Sequence, residues 1–420
     1  MLARPLGIIE RFYWLYDQQV TTNFVLIAEL GRGPDRAALQ EALARAWVRH
    51  PLLRCRIAVE RGRVVRIPDA APVPEVVEVS GSWSACADAE LDRPFPRGSA
   101  PLVRAAWLGG AAVFTFHHGL LDARSAAWWL GEVLAGACGC PPATPLPRED
   151  RPAERLYPRR WAGLAGLLRL PAVLWPSTLE HYRAGAPATL PAAPPRGTPR
   201  RTHSVHLDLD PEQTAALRAR ARRGGFTVQA ALAAAQLAAL RGEHLGDADL
   251  ALCVAHAVDL RPHLDPPLAA GTLGLCVSLL AGVHRVPLHP DLDALAREAG
   301  ASLKRLLARG QAHLFWRALP PAWLLPPDAR GAARLGFLAR QAPPAAVVTN
   351  LGALPDLPAP AAEAVRAIRF LMAPQDGSPL CTAAAGLHGA LRLGLCFDGA
   401  HLDPGAQART AARFASALGG

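Results

Sequence analysis

The chain has 420 residues, 51% of them hydrophobic, and a formal net charge of +10. This length exceeds one ordinary hydrophobic core and predicts about two domains. The composition excludes a disordered chain. Arginine carries almost all of the positive charge, with Lys304 the only lysine, and the arginines are scattered. We therefore expect no nucleic-acid partner and only weak attraction to acidic partners.

The strands and helices predicted in the first half follow an irregular order. Apolar runs predict strands at residues 22–30, 64–67, 76–79, 102–108 and 112–117. Apolar spacing of three and four residues predicts helices at 35–49 and from 124 to about 137. Gly109-Gly110 lies between the last two strands and predicts a hairpin. Residues 1–184 are the predicted N-terminal subdomain.

The second half has a similar organisation after a predicted linker at residues 185–200, which contain five prolines. Asp210 and Gln213 can form a capping box, and Thr227 can cap the next helix. The other predicted helices are residues 291–309 and a terminal helix opened by Asp403; the predicted strands are 204–209, 251–259, 275–283, 345–349 and 391–397. Residues 201–420 are thus a second α/β subdomain, without the regular alternation of a doubly wound parallel sheet.

Targeting and membrane signals are weak. Glu10 and Arg11 interrupt the N-terminal apolar stretch, so we predict no signal peptide. The eight cysteines include no Cys-x-x-Cys pair, which predicts reduced thiols in a cytoplasmic protein with no zinc site. Residues 161–175 are strongly apolar, but Arg169 and Pro171 make this segment too short and too broken to span a bilayer. A core or bridging helix is the favoured interpretation. Docking on a membrane surface or lining a lipid channel is the alternative, so membrane contact is at most peripheral.

The strongest chemical signal is the segment 117–122, with sequence HHGLLD, at the end of a predicted strand. Side chains alternate along a strand, so only one of the two histidines can enter a given pocket. Phe114 and Phe116 share the face of His118. A histidine held at a strand end can act as a general base. Two other interpretations stay open: the histidine pair is a buried core feature, and Asp122 is only the N-cap of the next helix.

This segment resembles the His-His-x-x-x-Asp-Gly signature of the condensation-domain and chloramphenicol-acetyltransferase-like superfamily. Other parts of the chain resemble further segments of that superfamily, in the same order and over nearly the whole length. They are Pro5-Leu6-Gly7 with Glu10, Arg49-His50-Pro51-Leu52-Leu53-Arg54, Val258-Asp259-Leu260-Arg261-Pro262, Thr349-Asn350-Leu351-Gly352 and Phe397-Asp398-Gly399. One departure is Ala123, where the signature has glycine.

The resemblance implies an α/β fold of two chloramphenicol-acetyltransferase-like subdomains, arranged as a V-shaped pseudo-dimer with a central tunnel. His118 would be the catalytic base and His117 its packed neighbour. Asp122 would pair with Arg261 and hold the motif loop. Asn350, beside Thr349, would orient its turn or donate a hydrogen bond to an oxyanion.

The function implied is acyl transfer from an acyl-CoA or an acyl carrier protein to a hydroxyl of a hydrophobic or secondary-metabolite acceptor. No Ser or Cys nucleophile motif accompanies the histidines, so we expect no covalent intermediate. We expect no cofactor and no metal. The apolar segment 164–174, with Phe114 and Phe116, favours a hydrophobic substrate. Two alternatives stay open: an amide-forming stand-alone condensation enzyme, and an inactive binding module of the same fold, which Ala123 would favour.

Overall fold

The computed structural model describes residues 3–31, 33–68, 71–188, 199–244, 246–321, 323–340, 344–375 and 377–419. The first half contains seven strands and five helices in these described ranges. In chain order they are β1 (Arg4–Pro5), α1 (Ile8–Tyr16), β2 (Asn23–Leu30), α2 (Arg36–Arg49), β3 (Arg56–Glu60), β4 (Arg63–Ile67), β5 (Val76–Glu78), α3 (Trp83–Asp92), β6 (Val103–Trp107), β7 (Ala111–His117), α4 (Ala123–Ala137) and α5 (Gly163–Ala184).

The second half also alternates irregularly between strands and helices. Its elements are β8 (Thr202–Leu209), α6 (Pro211–Gly224), α7 (Val228–Arg241), β9 (Leu250–Asp259), β10 (Val277–Val286), α8 (Leu292–Ala308), α9 (Gln311–Leu314), α10 (Ala329–Ala339), β11 (Ala346–Ala353), α11 (Ala359–Ala364), β12 (Val365–Met372), β13 (Leu380–Leu387), β14 (Ala390–Asp398) and α12 (Pro404–Gly419).

Two large mixed sheets organise the chain. The first has the strand order β12-β2-β7-β6-β5 and the second has the order β10-β9-β11-β13-β14-β8, while β1, β4 and β3 form a small third sheet. Most neighbours are antiparallel, but β11 runs parallel to both β9 and β13, and β5 runs parallel to β6. The predicted class, two α/β subdomains with mixed sheets, is confirmed.

Local signals in the sequence explain where the helices begin. The Asp35 side chain accepts a hydrogen bond from the backbone N–H of Ala38 and caps α2, and Thr227 caps α7 in the same way. Asp210 and Gln213 form the expected capping box at α6. These bonds satisfy backbone donors that a helix start leaves unpaired. The predicted hairpin is also present, because β6 and β7 pair antiparallel around the Gly109-Gly110 turn.

The strand β12 crosses from the second half of the chain to the first sheet. It pairs antiparallel with β2, with Phe370 opposite Leu26. The predicted division assigned residues 201–420 to the C-terminal subdomain, whereas the hydrogen bonds of β12 belong to the N-terminal sheet. Most of the predicted linker at 185–200 lies outside the described residues, so the exact junction stays a prediction.

The apolar segment 161–175 fits the bridging helix of the favoured interpretation but not a core helix, because α5 packs against β10 and α9 of the second half and is not enclosed. Val173 is buried against the second subdomain, but Leu168 and Trp175 are among the most exposed hydrophobic side chains. The segment is therefore only half covered by the core. Within the described part of the chain, no helix combines the length and the apolarity needed to cross a bilayer.

Three large buried clusters form most of the core of the described residues. One fills the N-terminal subdomain around Trp47 and Trp129, and another fills the C-terminal subdomain around Leu232 and Phe414. A third joins α1 to β10 and to the segment after α8, with Tyr13 as a central member. This third cluster lies at the seam between the subdomains, next to the end of β7.

Candidate active site

His118 lies directly after β7 and lines a narrow pocket at the seam. Both subdomains form the walls. The first contributes Tyr13 and Asp122, and the second contributes Leu279 and Asn350. The end of β7 therefore places the imidazole at the seam, as expected for a residue that acts on substrates bound between two halves.

The His118 ring is buried between aromatic side chains. Tyr13 stacks on it with a centroid distance of 3.8 Å and an interplanar angle of 15°, and Phe24 meets it edge to face at 5.3 Å. Burial disfavours the charged imidazolium and lowers the pKa of His118 to about 4. His118 is thus neutral at physiological pH, the form that can accept a proton.

His117 faces away from the pocket, as strand alternation predicts. Its Nδ1 accepts a hydrogen bond from the Gly119 backbone N–H at 2.9 Å, and its Nε2 lies 3.4 Å from Asp17 Oδ2. Burial alone would raise the pKa of Asp17, but the interactions of its carboxylate with His117 and Thr22 outweigh burial and lower the pKa. A Cβ at Gly119 would come within 3.0 Å of the His117 ring, so this glycine permits the close approach.

Asp122 and Arg261 meet across the seam, with Arg261 Nη2 donating to Asp122 Oδ2 at 2.9 Å. Both side chains are buried. Asp122 also accepts from the backbone N–H groups of Ser125 and Cys276. Asp122 therefore caps α4 and pairs with Arg261 at the same time, so the interpretation of Asp122 as only an N-cap is wrong.

The Arg261 side chain makes further bonds that hold the charge in place. Its Nε donates to the Thr272 carbonyl and its Nη1 donates to Asp259 Oδ1, each at 2.9 Å. Burial alone would lower the pKa of Arg261, but the nearby carboxylates of Asp122 and Asp259 outweigh it and raise the pKa. Arg261 remains charged, and the motif loop stays tied to the second subdomain.

The turn at Asn350 is connected to the motif loop by Arg124. Arg124 Nη2 donates to the Leu351 carbonyl at 2.9 Å, and its Nε lies 3.3 Å from Asp259 Oδ2. Asn350 Oδ1 accepts from the Gly352 backbone N–H at 2.8 Å, and Gly352 has φ +72°, a value that favours glycine. Asn350 thus orients its turn. Asn350 and its neighbour Thr349 also line the His118 pocket.

The apolar surface of the pocket has a different origin from the one predicted. Phe114 and Phe116 pack edge to face on Trp129 in the N-terminal core, because β7 turns that face towards α4. The apolar lining comes instead from Leu279, Val347, Leu351, Phe370 and Met372. The segment 164–174 does not line this pocket either.

The Ala123 departure has a simple structural explanation. Ala123 is the first residue of α4, and the non-glycine residues with positive φ in the described ranges are Arg61 and His388. Ala123 therefore has an ordinary backbone conformation that does not require glycine. Ala123 therefore causes no backbone strain at this position.

Two side chains at the site carried no signal in the sequence. In the sequence Tyr13 is an ordinary apolar residue of α1, and its contact with His118 is visible only in the folded structure. Arg66 is fully buried, and its Nη2 donates to the Leu120 carbonyl inside the motif loop. Its Nη1 donates to Glu10 Oε1 at 3.2 Å. Glu10 had been noticed only through the resemblance of the first segment.

The comparisons with known proteins agree with this geometry. Residues 198–390 match the family model described as phthiocerol/phthiodiolone dimycocerosyl transferase C-terminus. No curated relative matches the chain's sequence. The chain has the fold of the condensation-domain and chloramphenicol-acetyltransferase-like superfamily. The resemblance predicted from the sequence is confirmed, and the likeness to solved structures spans the whole chain.

Three solved structures illustrate the likeness. Polyketide synthase associated protein 5 from Mycobacterium tuberculosis has a TM-score of 0.63 at 18% identity, covering 99% of this chain and 98% of that one. The trichothecene 15-O-acetyltransferase TRI3 from Fusarium sporotrichioides has a TM-score of 0.66 at 12% identity, covering 99% and 95%. The first condensation domain of the calcium-dependent antibiotic synthetase has a TM-score of 0.65 at 18% identity, covering 100% and 97%. At these identities the likeness concerns the fold.

Proposed function

We propose that the chain transfers an acyl group from a thioester, carried by CoA or by an acyl carrier protein, to the hydroxyl of a hydrophobic acceptor. The observation that carries the proposal is the neutral His118 ring, held at a pocket that both subdomains form. Acyl transfer also agrees with the names of the matched transferase family and of the acetyltransferase of similar fold.

In the proposed mechanism His118 accepts the proton of the acceptor hydroxyl while its oxygen attacks the thioester carbonyl. The tetrahedral intermediate then collapses, the C–S bond breaks, and the imidazolium returns the proton to the leaving thiolate. Asn350 Oδ1 accepts from the Gly352 backbone N–H, which orients the side chain, and its amide nitrogen is the group that would donate to the oxyanion.

Direct transfer without an acyl-enzyme is supported by the state of nearby nucleophiles. Cys276 lines the pocket, but burial raises the pKa of its thiol to about 12, so it stays protonated. The Ser125 hydroxyl donates to the Gly274 carbonyl and accepts from Arg261. Neither group is activated for attack on a carbonyl.

The hydrophobic acceptor is supported by the pocket walls. Leu279, Val347, Leu351, Phe370 and Met372 present apolar surface around His118. Each methylene that leaves water for such a wall is worth about 0.8 kcal/mol. Turnover is therefore expected to rise with the chain length of at least one substrate.

The test measures thiol release from a panel of acyl-CoAs with alcohols or amines as acceptors. His118→Ala should lower the rate about 10²- to 10⁴-fold while the melting temperature stays close to the original value. His206→Gln is a matched control, because burial also lowers the pKa of His206 to about 4 and this residue does not line the pocket. Near-normal turnover in His118→Ala contradicts the proposal, and release with amines alone supports the amide-forming alternative.

A further inference from the structure

The exposed hydrophobic side chains are concentrated on one part of the surface. Fifteen large hydrophobic side chains are exposed among the described residues, and ten of them lie in the segments 164–182 and 315–338. Every exposed leucine, phenylalanine, tryptophan and tyrosine of this set belongs to those two segments, and the remaining five are valines. Patches of this kind mark contact with an apolar partner.

The helix α5 contributes an apolar stripe to this surface. Leu164, Leu168, Pro171 and Trp175 follow one another at the spacing of one helix face and are all exposed. Leu168 is 74% exposed and Trp175 is 71% exposed. The opposite face of α5 is packed, because Val173 is buried and its carbonyl accepts from Gln311. The helix is thus anchored to the protein by one face and presents the other.

The segment 315–338 extends the apolar surface beside α5. Trp323 is 77% exposed, and Phe337 on α10 is also exposed. A groove joins this segment to α5 through Leu167, Pro321 and Leu335. We call the exposed side chains of residues 164–182 and 315–338 the α5 surface.

Charge around the α5 surface is strongly positive. Residues 159–183 and 315–340 together contain eight arginines against two acidic residues, Glu180 and Asp328, which amounts to a net charge of +6 out of the chain's +10. Arg159, Arg160 and Arg169 are exposed at the first end of the apolar stripe. Apolar and aromatic side chains bordered by arginines are the composition of helices that lie in the interface of an anionic bilayer.

We propose that the α5 surface docks on an anionic lipid membrane, with Leu168, Trp175 and Trp323 in the interface and the arginines at the headgroups. The charge balance favours a lipid surface over a second copy of the chain, because a self-complementary contact would bring like charges together. The groove opens on the same surface, so docking presents an apolar cavity to the bilayer. The surface is separate from the His118 pocket, so docking stands independently of the proposed acyl transfer.

Vesicle co-sedimentation without substrate tests the docking. The full chain should bind vesicles of phosphatidylglycerol and phosphatidylcholine, bind pure phosphatidylcholine weakly, and dissociate as salt rises. Leu168→Glu with Trp175→Glu should reduce binding on the order of tenfold or more. Val48→Glu with Val77→Glu is the matched control, because both valines are at least half exposed outside the α5 surface, and this variant should bind normally.

The electrostatic part is tested by Arg159→Gln with Arg160→Gln, which should lower binding about fivefold for each arginine removed. Arg222→Gln with Arg223→Gln removes two exposed arginines elsewhere and should have no such effect. Equal binding to phosphatidylcholine, or unchanged binding of Leu168→Glu with Trp175→Glu, overturns the proposal. It is also overturned if light scattering shows a dimer of the full chain that Trp175→Glu dissociates.

Discussion

Tyr13 and His118 stack face to face at 3.8 Å, although one residue lies on the first helix and the other follows the central strand of the sheet. The contact removes water from one side of the imidazole. Burial is the largest cause of the lowered pKa of His118, and Tyr13 is the ring in closest contact. We therefore expect the protonation state of the proposed base to depend on a residue of α1.

The first prediction concerns the pH dependence of kcat/KM. His118 must be neutral to accept a proton, and its pKa in the free protein is about 4. The rate should thus be constant from about pH 5 to 8 and fall about tenfold per pH unit below 4. Short assays at each pH measure this, and recovery of activity on return to pH 7 excludes unfolding. If the acid limb of the profile lies near the ordinary pKa of histidine, about 6.5, the His118 ring is solvated.

Replacement of Tyr13 tests the cause of that shift. Tyr13→Ala opens the stacked face to water, which should raise the pKa of His118 and move the acid limb of kcat/KM to higher pH. The variant should also lose about 3–5 kcal/mol of stability, because a large buried ring is removed. Tyr13→Phe keeps the stacking ring and should leave the limb near pH 4. If both variants have the same limb, the stack does not determine the pKa.

Removal of the Asp122 carboxylate should affect stability as well as activity. Asp122→Ala leaves the buried guanidinium of Arg261 with Asp259 as its remaining carboxylate partner and removes the cap of α4. The free energy of unfolding should fall by about 3–5 kcal/mol. Denaturant unfolding measures the loss. A variant of normal stability without activity would show that Asp122 takes part in the chemistry.

A double-mutant cycle separates the ion pair from the other contacts. Asp122→Asn removes the charge and keeps an oxygen for only one of the two backbone N–H groups, because Ser125 and Cys276 donate to different oxygens of the carboxylate. Combined with Arg261→Met, it should cost less than the sum of the two single changes, because neither residue then leaves a buried charge unpaired. Additive costs would mean that the two residues contribute independently.

Local features of the fold were predictable because their causes are local. Capping by Asp210 and Gln213 needs only four residues, and the hairpin at Gly109-Gly110 joins neighbouring strands. The strand β12 was missed. Its sequence, VRAIRFLM, lacks clean alternation, and its partner β2 lies more than 300 residues earlier in the chain. Pairing at that separation depends on the assembled fold.

The candidate site could be predicted only in part, because its residues also lie far apart in the chain. Asp122 and Arg261 are 139 residues apart, and only the resemblance of two short segments brought them together. Composition indicated that 161–175 is apolar, but it contains no information on which face of α5 is covered. Phe114 and Phe116 share a strand face with His118, yet α4 covers that face and the motif loop carries His118 beyond it. The exposure of each face therefore depends on which other elements pack against it.

The last prediction concerns Arg66, a residue of the first subdomain that donates to the motif loop. Its guanidinium donates to the Leu120 carbonyl, to Glu10 and to the Cys55 thiol. Leu120 lies between the proposed base and Asp122, so displacement of its carbonyl should move His118. Arg66→Met should lower kcat with little change in KM, and Arg66→Lys should recover part of kcat because it keeps the charge but not the planar fork.

A matched control separates positioning by Arg66 from plain stability. Arg241 is also fully buried and donates to the carbonyls of His244, Gly246 and Ala248 in the C-terminal subdomain. Arg241→Met should lower the melting temperature while kcat of the folded protein stays normal. Arg66→Met should lower both the melting temperature and kcat, because Arg66 donates to the Leu120 carbonyl, which belongs to the motif loop. If Arg66→Met also lowers only the melting temperature, Arg66 stabilises the fold and does not position His118.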